Sequence, residues 1–332
     1  MQNRFHFTPI VAITATALVG ASLTACSSET AENAENTEAT VSADAAKIIA
    51  TTGVWADVAS AVTGEDVDAI ITGDAVDPHH YEPSAKDLAR VTDADTVVAN
   101  GGAYDAALYT VAEQDRIIHA IPLIDAEEAE EHNHAHEHGE HSEHDHEHSH
   151  EHAHLPESLD ELEHAWFAPE KVRQVADDVA EKTGGSAEGV DKRISAIEDK
   201  LGAVPHVHIG MTETIAAGLV WGTEIHDITP EEYAKASLNH QEPSAAAVAA
   251  FLEQIENGEL DMLIVNPQST NSATQRLADA TKAHNVPIVE IRETPPAGQD
   301  FLDYFEQVVD QIADIAAHTE PNEHGHEDTH GH

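Results

Sequence analysis

The stretch "HNHAHEHGEHSEHDHEHSHEHAH", residues 132–154, limits the fold of this chain more than any other part of it. It carries eleven histidines and no apolar side chain larger than alanine. It can therefore supply neither the apolar stripe of a helix nor a buried strand. Any core must be assembled from the segments before and after it, and the tract itself must lie on the surface as a loop.

On both sides of the tract, short apolar runs alternate with segments of helical spacing. Before it, Lys47 to Thr51 reads as a strand, "VWADVASAVTG" as a helix stopped by glycine, "VDAII" as a second strand, and Thr96 to Ala99 as a third. Ser84 followed by Asp87 has the spacing of a capping box, which predicts a helix beginning there. "RIIHAIPLI" adds a further apolar segment. After the tract the candidate strands are "HVHIGM", "TEIHDI", "DMLIV" and "VPIVEI", with helices predicted over parts of 213–221, 244–256, 270–283 and 300–317. Residues 170–181 and 188–201 also read as helical, broken by "KTGGSAEG". Unbroken apolar strands are the mark of parallel sheets covered by helices on both faces. The fold class is thus α/β: two lobes with parallel-sheet cores joined by helical backbone. Open parallel sheets bind ligands beyond the carboxyl ends of their strands, which predicts a site in the cleft between the lobes.

Four stretches place metal-capable side chains where such strand-end loops fall. "GDAVDPHHYEPSAKD" carries His79 and His80, and "ELEHAWFAPEKV" carries His164. "IGMTETIAAG" carries Glu213, and "VEIRETPPAG" carries Glu293, with Glu290 as its rival. Imidazole nitrogens and carboxylate oxygens suit Zn2+ and Mn2+, and one ion ligated from four separated loops would draw two lobes together. His206 and His208 in "HVHIG" alternate on a candidate strand and face one side. A His-x-His pair also opens the barrel of metal-dependent amidohydrolases, but no later set of strands and histidines fits such a barrel. The two remain a histidine pair.

These stretches resemble the substrate-binding proteins of bacterial ABC importers for zinc and manganese. In that family a "DPHxYEP"-like loop and an "HxW"-like segment give histidines from the first lobe. The second lobe gives His or Glu after a strand, then Asp or Glu in a late loop. The resemblance implies His79, His164, Glu213 and Glu293 as metal ligands, with His80 the alternative to His79. It spans about 47–315, and "DPHHYEPSAKDL" with "NGGAYD" is its most specific part. It further implies metal capture without catalysis, by a monomer, and delivery to an ABC-type permease with a cytoplasmic ATPase, and the histidine tract points to Zn2+ as the cargo. Two carboxylates in the set resemble the manganese-type members, so Mn2+ is the competing cargo. A surface zinc buffer or adhesion lipoprotein is the competing role. The family normally joins its lobes with a long helix, whereas 188–201 could extend only about 21 Å.

Arg4 and a short apolar stretch lead into Leu23, Thr24, Ala25 and Cys26, which resemble a bacterial lipoprotein box. The expectation is an export signal over 1–25, an acylated Cys26 anchoring the protein on the extracytoplasmic face of the membrane, and an acidic tether over 26–45. The first lobe would take 46–130 and 158–185 around the loop 131–157, the connecting helix 186–202, the second lobe 203–318, and a histidine-rich tail 319–332. Acidic residues outnumber basic ones 63 to 15, a net charge of -48, which repels nucleic acid and attracts cations. His132, His134, His136, His138, His141, His144, His146, His148, His150, His152 and His154 then read as accessory zinc donors. Without apolar anchors they support many exchanging coordination sets and no single closed shell.

Overall fold

In the computed structural model, which describes residues 47–73, 78–129 and 156–319, the apolar runs form two four-stranded parallel sheets. Cys26, the histidine tract 132–154 and the tail from 320 lie outside the described residues. The first sheet contains β1 (Ile48–Thr52), β2 (Asp68–Ile71), β3 (Thr96–Ala99) and β4 (Ile117–His119), in the order β2-β1-β3-β4. The second contains β5 (Val207–Met211), β6 (Ile225–Asp227), β7 (Met262–Val265) and β8 (Ile288–Glu290), in the order β6-β5-β7-β8. Both sheets repeat one winding: the chain steps to one side of its first strand, then crosses back to the other. The reversal falls between β1 and β3 and between β5 and β7. Loops leaving these strands diverge there and open a crevice at their carboxyl ends. Ala50 lies opposite both Ala69 and Val98 in the first sheet, and Ile209 opposite both Asp227 and Met262 in the second.

Local signals set most helix ends. α1 (Gly53–Thr63) stops at Gly64, whose φ of 73° lies in the left-handed region that glycine enters without strain. α2 (Ala85–Thr92) begins with Ser84 and Asp87 closing the capping box that their spacing predicts. α3 (Ala106–Tyr109) is a single turn. α4 (Pro169–Thr183) opens on proline and is followed by α5 (Glu188–Leu201). The second sheet carries α6 (Ala217–Val220), α7 (Glu231–Leu238), α8 (Ala245–Glu256) and α9 (Ser272–Ala283), and the long α10 (Phe301–His318) ends the fold. Ser244, Asn271 and Asp300 cap α8, α9 and α10 by accepting hydrogen bonds from first-turn amides.

The connection between the sheets is a helical hairpin. Arg173, near the start of α4, pairs with Asp191 and with Glu198 near the end of α5, so the two helices run back along each other. A hairpin returns the chain to the level it left, so two short helices serve where the resemblance implied one long one. One apolar core joins both sheets through these helices: Ala50, Trp55 and Val98 connect through Phe167, Val175 and Ile194 to Ile209, Ile264 and Phe305. Phe167 meets Phe305 of α10 edge to face at a centroid distance of 5.4 Å. Smaller clusters around Val97 and Tyr109, and around Phe251 and Leu263, cover the other face of each sheet. Among the described residues no helix is long and apolar enough to cross a membrane.

Candidate metal centre

Each of the four predicted donors is carried by a loop at a strand end or in a short turn. His79 lies in the turn Pro78–His80 beyond β2, and His164 leads into the turn Ala165–Phe167. Glu213 follows β5 and Glu293 follows β8. The turn after His164 buries Trp166 and Phe167, and Trp166 stands edge-on to the His164 ring at 5.3 Å. Packing thus fixes this imidazole.

The structure brings these four side chains together. Nε2 of His79 lies 3.2 Å from Nε2 of His164, 3.4 Å from Oε2 of Glu293 and 3.7 Å from Oε1 of Glu213. Nε2 of His164 is also 3.7 Å from Oε1 of Glu213. His164, Glu213 and Glu293 are 2%, 8% and 1% exposed, so the donors meet largely away from bulk water. Glu290, by contrast, is exposed at the end of β8 and stands outside the group, while His80 ends the same turn as His79. His206 and His208 lie at the other end of β5.

The spacing can be tested against an ion. Zinc bonds of about 2.0–2.2 Å to nitrogen and oxygen place tetrahedral donors roughly 3.3–3.6 Å apart. Four of the six donor separations run from 3.2 to 3.7 Å, and all six lie within 4.8 Å. The donor set fits a small divalent cation.

Both carboxylates are held so that one oxygen faces the histidines and the other does not. Asn266, the first residue after β7, donates from Nδ2 to Oε2 of Glu213 at 2.5 Å and to Oε1 of Glu293 at 2.9 Å. The Ser269 hydroxyl donates to the same Glu213 oxygen at 2.5 Å. On the facing side the Tyr104 hydroxyl donates to Oε2 of Glu293 at 2.9 Å, and its ring stands edge-on to His79 at 4.8 Å.

The "NGGAYD" stretch supports the site from below. The buried Asp105 carboxylate accepts the amides of Asn100 and Gly101 and the Thr51 hydroxyl. Asn100, so held, donates from Nδ2 to the carbonyl of Glu163 at 2.8 Å, fixing the peptide that leads into His164. Gly101 has φ 91°, and a Cβ there would stand 2.1 Å from the Ile121 carbonyl oxygen, so only glycine lets the turn close.

Glu163 links the two lobes. Its Oε1 lies 3.4 Å from Nδ1 of His79 and 2.9 Å from Nε2 of His240, which follows α7 in the second half. The amides of His240 and Gln241 bond to the carbonyls of Ser237 and Ala236, a Schellman closure that puts His240 at φ 50°. Glycine would relax this position, and the turn it makes carries the His240 imidazole to Glu163. Burial would raise the Glu163 carboxyl, but His79 and His240 hold it well below the usual carboxylate range. Burial likewise works against the His79 cation, yet Glu163, Glu293 and Glu213 overcome it and push its pKa up to about 10. Glu293 is lowered in turn, against its burial, mainly by His79.

The sequence reading missed Glu163, His240, Tyr104, Asn266 and Ser269. Adjacency to His164 was the one signal for Glu163, and Tyr104 stood inside a motif already singled out. A cleft of about 310 Å³, bounded in part by Tyr233, His240, Gln268 and Asn271, opens onto His79 and Glu213 and offers an ion a way in.

A family model described as zinc-uptake complex component A, periplasmic, matches residues 48–315. Solved structures of the same fold include the periplasmic zinc binding protein TroA from Treponema pallidum, at 18% identity and TM-score 0.55 over 82% of this chain and 98% of that one. The laminin binding protein Lmb of Streptococcus agalactiae, described as having adhesin and metal transporting activity, matches at 14% identity and TM-score 0.56, over 81% and 98%. The binding protein FpvC from Pseudomonas aeruginosa, in complex with Mn2+, matches at 15% identity and TM-score 0.52, over 81% and 97%. No curated protein sequence matches the chain.

Proposed function

The chain belongs to this family of zinc-uptake component A proteins, which capture metal outside the cytoplasm and are not enzymes, and from that premise we propose that its cargo is Zn2+ and its recipient an ABC-type importer. One observation carries the choice of cargo. Each carboxylate has its second oxygen committed to Asn266, and for Glu213 also to Ser269, so the cleft offers four single donors. Four single donors suit a four-coordinate Zn2+, whereas Mn2+ favours octahedral oxygen-rich shells and would have to pull both carboxylates off these partners. Intrinsic first-row affinities run the same way.

In this reading His79 and His164 bind from the first lobe, and Glu213 and Glu293 from the second. A bound ion ties together loops from both sheets, which gives a permease a shape by which to recognise the loaded protein. An acylated Cys26 would hold the protein at the membrane beside that permease. The histidines from His132 to His154 would gather zinc near the cleft without forming the tight site.

Titration of the metal-free protein with Zn2+ and Mn2+, alongside His79→Ala and His164→Ala, tests the site and the cargo together. One tight zinc equivalent is expected, stronger than for Mn2+ and lost in both variants. Unchanged one-site zinc affinity in both variants would remove the proposed shell, and tighter Mn2+ than Zn2+ would overturn the cargo.

A further inference from the structure

The histidine pair in "HVHIG" is completed by a third histidine from the neighbouring strand, and we propose that His206, His208 and His226 form a second zinc site, separate from the cleft. His208 and His226 are direct partners in the parallel register of β5 and β6, so their side chains leave the same face of the sheet side by side. His206 lies two residues before His208 and points the same way. The intervening Val207 and Ile209 are buried in the core, which fixes which face the histidines take. Their Nε2 atoms, on His206 and His208, are 3.3 Å apart, and the His206 and His226 rings are 4.5 Å apart between centroids. One nitrogen from each of the three lies within 4.8 Å of the others.

Two features make this a supported site. The backbone of His208 is clamped on both sides by Asp261, whose carboxylate accepts its amide at 2.7 Å and whose own amide donates to its carbonyl at 2.8 Å. Gly210, the next residue on the histidine face, sits under Phe251 and Leu260, where a Cβ would come within 2.6 Å of both side chains. The helical layer therefore closes over the sheet from position 210 onward and leaves the start of β5 uncovered. Of the three imidazoles, His206 and His208 stand at the nitrogen spacing of a zinc tetrahedron, roughly 3.3 Å, and His226 lies within 4.8 Å of both. The fourth position opens to solvent. Such a site exchanges its ion more readily than the buried cleft. Glu213 lies two residues beyond the other end of β5, so the two sites draw on separate residues.

Histidine carbethoxylation, read by peptide mass spectrometry on the whole chain during Zn2+ titration, resolves these three residues from the tract. His206, His208 and His226 should become protected together, over one zinc range and after the cleft histidines. In a His206→Gln/His226→Gln chain, protection of His208 should be lost while His79 and His164 are protected as before. Modification of the three histidines that zinc does not slow, with the cleft already protected, would overturn the second site and leave the cleft reading intact. Protection of His208 that persists unchanged in the double variant would also overturn it.

Discussion

Each zinc ion entering the cleft should expel one proton at pH 7.5. The cause is His79, whose pKa is pushed up to about 10 because Glu163, Glu293 and Glu213 outweigh the effect of burial. At pH 7.5 such an imidazole is protonated by about 300 to 1, and it must lose that proton before Nε2 can bind a cation. An unperturbed imidazole would be protonated to roughly a tenth and would release correspondingly little. Calorimetry of the first zinc equivalent in buffers of different ionisation enthalpy gives the number directly, with a competing chelator used to hold the free ion in range. Apparent affinity should rise about tenfold per pH unit from 7 to 9 and level off only near 10. The same shift governs the metal-free fold. With the folded pKa above the unfolded value, the stabilisation is complete below about pH 6.5 and is lost as the pH rises through about 10. The metal-free melting temperature should therefore fall across that window. Release well under half a proton at pH 7.5, or affinity that is flat from pH 7.5 to 9, would refute this account of the site.

Three further outcomes follow from particular residues. Glu163→Gln removes the charge that faces Nδ1 of His79 and Nε2 of His240, and zinc titration should show a loss of roughly 10- to 100-fold; unchanged affinity would deny Glu163 its positioning role. Deleting 131–154 should remove weaker zinc equivalents and keep one tight equivalent, with the difference shrinking at pH 5.5 because free imidazole protonates near 6.5. Loss of the tight equivalent in a folded deletion would make the tract the principal site. Cys26→Ala should release the protein from the membrane fraction, and an unmodified Cys26 in the intact mass of membrane-associated protein would contradict the anchor.

The sheets were legible in the sequence where their strands are buried on both faces. Ile48–Thr52, Thr96–Ala99 and Met262–Val265 read as unbroken apolar runs for the reason that helices cover them on either side. Ser84 marked a helix start through side-chain chemistry that acts within four residues. α7 was missed because "EEYAKASL" buries only Tyr233 and Ala234, too little for a visible apolar stripe. The long apolar run "RIIHAIPLI" yields only the three-residue β4, since Ile121 and Pro122 turn their carbonyls toward the glycine turn at 101–102. These are failures of range: whatever depended on a distant partner could not be read locally.

The candidate site divides along the same line. His79, His164, Glu213 and Glu293 could be named because each sits in a short stretch with its own character. What makes them one shell could not, because it depends on residues with no character of their own. Asn266 is an ordinary loop asparagine in sequence, yet its single amide reaches a carboxylate from each of two different loops. His240 is one histidine among many, distinguished only by a backbone conformation that a structure reveals. His226 is a third case, since the pair in "HVHIG" becomes a triad only when the β5–β6 register is known. Ligand identity is thus a local property of this chain, whereas coordination number is a tertiary one. Under the proposed function the choice between Zn2+ and Mn2+ would follow coordination number, and so would turn on Asn266 and Ser269, which hold the second carboxylate oxygens. If these two residues set the cargo, Asn266→Ala with Ser269→Ala should narrow the preference for Zn2+ over Mn2+ by freeing each carboxylate to bind through both oxygens. Parallel titrations with both ions measure that ratio, and an unchanged preference in the folded double variant would return the choice of metal to the four ligands alone.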